Sequence, residues 1–543
     1  MNKQLLLFLL FITPALAVAQ ERSFGTLPLV NKAKAPSLPG AKLADSTAFR
    51  KALTVYNRLV QARGDFRFPV PAFSMRREER RVAGIDYDQL EIILEEKAYQ
   101  VCNSYGADAE AAMAFLLSHE LTHYYEKHAW RRGFVADYSD LKIGMKLDSL
   151  IDGAANETEA DYLGGFLAYS AGYGLFDKGG DLIQKLYTTY GLPAVLPGYP
   201  SLADRQALGR RSAEKIGRLV EVFDMANLLT AISRYSEAYE YYRYILMQYQ
   251  SREIYNNLGV TAVLDAMQYF QENELKFRYP VQLDLESTGA KNLGFSNARE
   301  KLLRQAIYHF DAAISMDPGY APAYLNKACA FAMLGDVNRA RFYAETEARE
   351  AVARSNYPKT GTDINILIGI LDAMKGETAK AKTAFQTAAS AGSALGAINL
   401  KILNNEPLGS ETPTFGGLPR PELIDGKALA DIAEDLQIES SRTIAISSNF
   451  NFHQNPKQGA NSRLFVCQNA LNDDMVLLHL TGKGFTGKTA RQIGLGADRA
   501  AIVKAYGEPL RTVETPRGQI MVYKKILFVM GAGGKLERWA TYQ

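Results

Sequence analysis

Small and aromatic residues recur at helical spacing between residues 219 and 407, and no other feature limits the possible fold of the chain as strongly. The clearest run of such positions is Ala306, Phe310, Ala313, Pro318, Tyr324, Phe331, Gly335 and Ala340. Small residues let two helices approach closely, and aromatic rings fill the spaces between neighbouring pairs. The pattern predicts stacked helix pairs, with an irregular helical bundle as the alternative.

The spacing resembles that of tetratricopeptide repeats, in which each unit is one helix pair. The resemblance implies an α-helical repeat array over residues 219–407 that recruits protein substrates or envelope assembly partners. An insertion at about residues 270–298, which contains FRYPVQLDLESTGAKNLGF, interrupts the period. A Pro/Gly-rich linker at 408–422 then precedes a small α+β domain at 423–543, for which we predict one helix, Arg499–Tyr506, followed by antiparallel strands.

The length and charge of the chain limit the number of domains and the kind of partner to be expected. A chain of 543 residues is too long for one ordinary core, so several domains are expected. Its 62 basic and 59 acidic residues give a net charge of +3, which does not indicate a nucleic-acid partner. The three cysteines are Cys102, Cys329 and Cys467. Because each falls in a different predicted domain, we expect them to be small buried residues and not a disulfide framework.

The first residues, MNKQLLLFLLFITPALAVAQ, have the pattern of a secretory signal. A lysine precedes a short apolar run, and Ala17-Val18-Ala19 fits a cleavage site, so we predict a signal peptide at 1–19 and a linker at 20–43. The run is shorter than the ~20 residues of a transmembrane helix, and no later segment is long and apolar enough. We therefore expect an exported protein without a transmembrane segment, either periplasmic or secreted.

Two histidines stand four residues apart in LLSHELTHYYEKHAW, residues 116–130, inside a strongly helical run. At roughly 100° per residue, His123 lies about 40° around the helix from His119, so both imidazoles face one side. Two such nitrogens can reach one zinc ion at about 2.0–2.1 Å. Glu120 lies about 60° from His123 and is suited to act as a base, whereas His128 lies about 180° from His119 and is a poor ligand.

A catalytic zinc site keeps three protein ligands and an open position, so this helix needs one further ligand. The next helical segment, NETEADYLGGFLAYSAGY at 156–173, places Glu157 and Asp161 on one face, while Glu159 points away. We predict Glu157 as the third ligand and Asp161 as the residue that orients a ligand histidine. A chance cluster on a buried helix is the alternative.

The segment LEIILEEKAYQVC, residues 90–102, precedes the histidine helix. Its alternating and β-branched residues predict a strand beginning at Leu90, followed by a helix from Ala107. We expect this strand to hold an extended substrate beside the site.

HELTH followed by ETEAD resembles the motif pair of the gluzincin peptidase family of the HtpX and CAAX-prenyl-endopeptidase type. Periplasmic members such as the β-barrel assembly-enhancing protease also carry a signal peptide and tetratricopeptide repeats. The resemblance covers roughly residues 45–400 and implies a mostly α, zincin-like α+β peptidase domain at 44–218. It also implies one Zn²⁺ per chain, held by His119, His123 and Glu157, and cleavage of protein or peptide substrates.

A later motif of the family, His-Pro followed by an arginine, corresponds here to YPSLADR, with Tyr199 in place of the histidine and Arg205 retained. The correspondence implies that Tyr199 donates to an oxyanion in the reaction and that Arg205 stabilises it. The alternative is a helix start, with Pro200 and Ser201 near its N-terminus.

These residues imply a mechanism and leave one competing hypothesis. The zinc ion would lower the pKa of a bound water toward about 7, and Glu120 would take its proton and pass it to the leaving amine. Envelope protein quality control is the expected setting. The competing hypothesis is a non-catalytic periplasmic repeat scaffold or chaperone with a vestigial or latent metal site. The intact Glu120 favours the enzyme, because a structural relic needs no base.

GKGFTGKT, residues 482–489, satisfies the phosphate-loop pattern G-x-x-x-x-G-K-[ST]. A phosphate loop requires a long helix from Lys488, but Gly494 and Gly496 interrupt it, and no apolar strand ending in aspartate follows to hold magnesium. We therefore predict a glycine-rich hairpin loop and no bound nucleotide.

Overall fold

The structure is a computed structural model, and it describes residues 46–77, 79, 82–127, 153–174, 176–195, 201–271, 274–281, 296–355, 357–407, 421–434, 436, 442–455, 461–472, 474–515, 518–531 and 533–543. Several sequence predictions fall outside these ranges. They concern the signal peptide 1–19, the linker 20–43, His128, Tyr199 and most of the linker 408–422.

The chain combines helices with two sheets and divides into two compact units. The first unit comprises Met1–Tyr56, Pro71–Ala160 and Gly180–Ala207. The second comprises Asn57–Val70, Asp161–Gly179 and Leu208–Gln543. This agrees with the coarse prediction of a multi-domain α+β protein.

The elements from residue 46 to residue 231 carry the candidate site. In chain order they are α1 (Thr47–Arg63), β1 (Ala72–Arg76), β2 (Ala83–Asp86), β3 (Glu91–Glu95), α2 (Glu96–Asn103), a 3-10 turn (Gly106–Asp108), α3 (Ala109–Tyr125), α4 (Gly153–Ala168), a π-helical turn (Tyr169–Tyr173), α5 (Gly179–Tyr190) and α6 (Leu202–Ala231).

The strand predicted near Leu90 is β3, the central strand of a three-stranded sheet with the order β1-β3-β2. Strand β1 pairs with it in parallel, and β2 pairs with it in antiparallel orientation. The expectation that this strand holds an extended substrate is wrong, because neighbouring strands occupy both of its hydrogen-bonding edges. Helix α2 begins directly after β3 at Glu96, and the histidine helix follows at Ala109 rather than Ala107.

Helices dominate the chain from residue 235 to residue 434. They are α7 (Tyr235–Gln248), α8 (Arg252–Met267), α9 (Ser296–Met316), α10 (Ala321–Met333), α11 (Val337–Phe342), a π-helical turn (Tyr343–Ala348), α12 (Arg349–Arg354), α13 (Pro358–Met374), α14 (Thr378–Ser390), α15 (Ala394–Leu403) and α16 (Leu429–Glu434). All residues of α10 are buried, so this helix is enclosed by its neighbours on every side.

Two glycines show how closely these helices approach. A Cβ atom at Gly259 of α8 would lie 2.4 Å from the ring of Phe310 in α9, and one at Gly369 of α13 would lie 2.6 Å from the ring of Phe385 in α14. The two helix pairs therefore share one arrangement, in which a ring occupies the space above a glycine. Gly335 and Gly376, which follow α10 and α13, both have a φ of +78°, as expected of glycines that end helices.

The C-terminal residues form an antiparallel sheet. Its strands are β4 (Arg442–Ala445), β5 (Phe450–Asn455), β6 (Ser462–Asn469), β7 (Asp474–Thr481), β8 (Arg511–Thr515), β9 (Gly518–Tyr523), β10 (Ile526–Gly531) and β11 (Leu536–Tyr542), in the order β4-β5-β6-β7-β11-β10-β9-β8. The predicted helix is present with the predicted bounds as α17 (Arg499–Tyr506), and antiparallel strands follow it. Buried Arg511 of β8 donates to the carbonyls of Thr230 and Ala231 and so caps the end of α6.

The segment with the phosphate-loop pattern lies between β7 and α17. It is a loop, as predicted, but not a hairpin, because the chain leads from β7 into a helix. That helix begins at Arg499 and not at Lys488. The ring of Phe485 packs edge-on against Trp539 at 5.8 Å between centroids, which fixes the loop to the sheet.

Two further predictions concern the cysteines and the membrane. All three cysteines are buried and free, as expected of small core residues; they are Cys102, Cys329 and Cys467. Among the residues that the structure describes, none of the helices combines the length and apolar composition needed to cross a bilayer.

The glycine contacts predict a position-specific effect on stability within α13. Gly369→Ala should lower the free energy of unfolding by about 1–3 kcal/mol, because the new methyl group and the Phe385 ring cannot occupy the same space. Gly361→Ala in the same helix meets only ordinary contact, with Val352 at 3.4 Å, and should raise it by up to about 1 kcal/mol through helix propensity. Chemical denaturation followed by circular dichroism measures both; equal effects would contradict the packing argument.

Candidate metal centre

Helix α3 carries the two histidines and is buried on almost every side. Thirteen of its residues are buried, including every residue from Ala112 to His123. The hydroxyls of Ser118 and Thr122 donate to carbonyls one turn earlier, at Phe115 and Ser118, so these polar side chains are satisfied within the helix. A helix buried in this way has little freedom to rotate, which fixes the direction of its histidines.

His119, His123 and Glu157 come together in the first unit. The Nε2 atoms of the two histidines are 3.0 Å apart. Glu157 Oε2 lies 3.5 Å from His119 Nε2, and Glu157 Oε1 lies 3.5 Å from His123 Nε2. The three side chains are buried, and their ligand atoms all lie within 4.8 Å of one another. The structure thus brings together the three residues predicted as ligands from the sequence.

The donor set fits a divalent metal ion. Two imidazole nitrogens and one carboxylate oxygen are ligands of catalytic zinc sites. Donor atoms at about 2.0–2.1 Å from a tetrahedral ion lie roughly 3.3 Å from each other. The observed separations of 3.0, 3.5 and 3.5 Å lie on both sides of that value. These residues can therefore hold an ion with small adjustments of the side chains.

Glu157 is held as a carboxylate by its neighbours. Burial opposes ionisation, but His119, His123 and Arg205 outweigh it and hold the pKa of the Glu157 carboxyl well below its usual range. Arg205 Nη2 donates to Glu157 Oε2 over 3.3 Å, and both side chains are buried. Arg205 thus contacts the predicted third ligand, and its role at an oxyanion stays a prediction.

Arg205 owes its position to the start of α6. The helix begins at Leu202, and Ser201 accepts a hydrogen bond from the backbone of Asp204 through its Oγ at 3.1 Å. The alternative interpretation of YPSLADR as a helix start is therefore realised, and Arg205 lies in the first turn. Tyr199 lies outside the described residues.

Other predicted residues lie close to the ligands in sequence and are also buried. Glu120 follows His119 in α3 and is 1% exposed, and Asp161 lies one turn after Glu157 in α4 and is 4% exposed. Sequence reasoning missed Tyr87, whose hydroxyl donates to the carbonyl of His123 over 3.3 Å and ties the turn after β2 to α3. No local pattern marks this tyrosine, because its partner lies 36 residues away.

The donor set predicts that bound metal depends on these histidines and not on others. The wild-type protein should bind one zinc ion per chain, and His119→Ala and His123→Ala should each bind far less, because two donors alone bind weakly. His309→Gln is the matched control, since His309 is also buried but lies in α9, where it pairs with Tyr239. Mass spectrometry of metals in purified protein measures the result; retained metal in the His119 and His123 variants would contradict the assignment.

The Arg205–Glu157 pair predicts a stability effect that depends on metal. Arg205→Ala leaves a buried carboxylate without its arginine. In the presence of chelator, it should lower the free energy of unfolding by about 3–5 kcal/mol. This loss of stability should be smaller when zinc is added, because the ion supplies positive charge to the same carboxylate. Thermal unfolding with chelator and with zinc measures the difference, and Arg210→Ala, exposed in the same helix, serves as control. An equal loss under both conditions would rule out a shared role for arginine and metal.

Two comparisons with known proteins gave no match: no protein-family model matches the chain, and no curated protein matches it. The candidate metal centre therefore rests on the positions of its own residues.

Proposed function

We propose that this protein is an exported zinc-dependent endopeptidase whose helical array, a set of tetratricopeptide-like repeats, recruits protein substrates or partners. The observation that carries the proposal is the buried cluster of His119, His123 and Glu157, with Glu120 adjacent in the same helix. The N-terminal signal pattern supports export, and protein quality control in the bacterial envelope is the setting we infer. The zincin-like fold of the first unit is part of the same proposal.

The residues of the site have separate tasks in this reaction. A zinc ion bound by the three ligands would supply Lewis-acid polarisation of the scissile carbonyl. Glu120 would accept a proton at its carboxylate from the attacking water and return it to the amine nitrogen of the leaving peptide. Arg205 would hold Glu157 in its ligand orientation through the 3.3 Å contact. Asp161 would orient a ligand histidine from the next turn of α4.

Burial of the site gives the second candidate function its support. His119, His123, Glu157 and Glu120 are 3, 5, 6 and 1% exposed. Side chains as buried as these fit a latent enzyme or a scaffold with an inactive metal site as well as an active enzyme. Metal bound at the predicted ratio without cleavage of any substrate would favour that function.

The assigned role of Glu120 predicts a variant that separates binding from catalysis. Glu120→Gln should retain zinc but lose at least about 10²-fold in casein cleavage, because the amide cannot accept the proton. Glu110→Gln, exposed in the first turn of the same helix, should leave both unchanged. Release of labelled casein peptides, measured with and without chelator, tests this. Unchanged cleavage by Glu120→Gln would refute the role.

A further inference from the structure

The insertion that interrupts the repeat pattern sends a short segment onto the helical array. Residues 275–281, LKFRYPV, form neither helix nor strand. Phe277, Tyr279 and Val281 are buried and belong to the same hydrophobic core as α8, α10, α13 and α14. Pro280 is buried as well, whereas the side chains of Lys276 and Arg278 are not. Buried and less buried side chains therefore alternate over residues 276–279, as is typical of an extended chain that lies on a surface.

Three helices of the array contact this segment. The ring of Phe277 lies 5.6 Å from that of Phe385 in α14. The hydroxyl of Tyr279 donates to the sulfur of Met374 at the end of α13, over 3.8 Å. Asn399 of α15 contacts the residue between them, Arg278. We call this contact surface of α13, α14 and α15 the segment site.

Asn399 binds the main chain of the segment in a sequence-independent way. The backbone N–H of Arg278 donates to Asn399 Oδ1 over 2.8 Å, and Asn399 Nδ2 donates to the Arg278 carbonyl over 2.8 Å. The N–H and C=O of one residue point to the same side only when its backbone is extended, so the amide imitates a neighbouring β-strand. Asn399 is fully buried, and its amide would be costly to leave unsatisfied.

Two helix pairs of the array also contact each other directly, with no residue of the segment between them. Gly259 meets Phe310 across α8 and α9, and Gly369 meets Phe385 across α13 and α14. The segment is tethered beside the array by Glu274, which accepts from Arg299 at 3.0 Å. A tethered segment has a high effective concentration at its site, so it competes strongly with any free peptide.

We propose that the segment site is a binding site for extended polypeptide segments, and that residues 275–281 are its internal occupant. The ligand class is an extended chain with two aromatic or large apolar side chains two residues apart, whose intervening peptide group pairs with Asn399. The internal segment keeps the site closed until a stronger ligand displaces it. This inference deepens the recruiting role proposed for the array and does not depend on the metal centre.

The test uses the full chain and a fluorescent peptide of residues 274–281, ELKFRYPV. Phe277→Ala/Tyr279→Ala weakens the internal occupant and should bind this peptide about tenfold or more tighter than the wild type, because a larger fraction of molecules has an open site. Adding Asn399→Ala to the double variant should remove that gain. Tyr308→Ala, an aromatic residue 68% exposed in α9, is the control and should bind as the wild type does.

Fluorescence anisotropy in the presence of chelator measures peptide binding without cleavage. A negative result would therefore contradict the segment site and leave the peptidase proposal untouched. A double variant that keeps its helical circular dichroism but does not bind the peptide would overturn the inference. Loss of that circular dichroism would also overturn it, because the segment would then be a permanent part of the core.

Hydrogen exchange of the wild-type protein gives a second test that needs no variant. The amide of Arg278, which donates to Asn399, should exchange about tenfold or more faster than the amides in the middle of α13, because the segment leaves its site while the helices stay folded. Equal protection of the Arg278 amide and of α13 would contradict an exchangeable occupant.

Discussion

A buried carboxylate requires positive charge beside it, and the candidate metal centre is organised around this requirement at Glu157. An ion taken out of water without a partner costs several kcal/mol. Arg205 of α6 supplies a positive charge 3.3 Å from Glu157, and the two histidines of α3 lie 3.5 Å away, where they add charge only when protonated. The positions of three helices are therefore coupled to one charge. A shift of any of them would leave the carboxylate poorly compensated, so the same interaction stabilises the fold and fixes the geometry of the site.

The local part of the site could be predicted because helix geometry alone determines it. A spacing of four residues in an α-helix places His119 and His123 on the same side of the helix, whatever surrounds them. The pairing of Arg205 with Glu157 is different, because it spans 48 residues. The chain has 62 lysines and arginines, and nothing in the local sequence marks this one as the partner of a buried carboxylate. Arg205 reaches Glu157 only because α6 begins at Leu202.

The same distinction holds outside the site. An apolar run such as EIILE predicts a buried strand but does not tell whether it lies in the middle or at the edge of a sheet. Here β3 lies in the middle of its sheet because β1 pairs with it in parallel, and this pairing arises from the tertiary fold. Helix pairs could be predicted because their small residues and rings recur. The insertion has no helical period, so the sequence contained no signal that Phe277 and Tyr279 would fold back onto the array.

The candidate metal centre and the segment site share one physical property: the chain itself satisfies the buried polar group in each. Arg205 compensates the charge of Glu157, and the main chain of Arg278 satisfies the amide of Asn399. Such internal partners lower the free energy of the ligand-free protein, because an unsatisfied buried polar group costs about 1–3 kcal/mol. At the segment site, the internal partner also lowers the apparent affinity for an external ligand, because only the open fraction of molecules can bind it. A ligand at the segment site must therefore replace contacts that already exist, which favours partners able to match both the main-chain pairing and the two buried side chains.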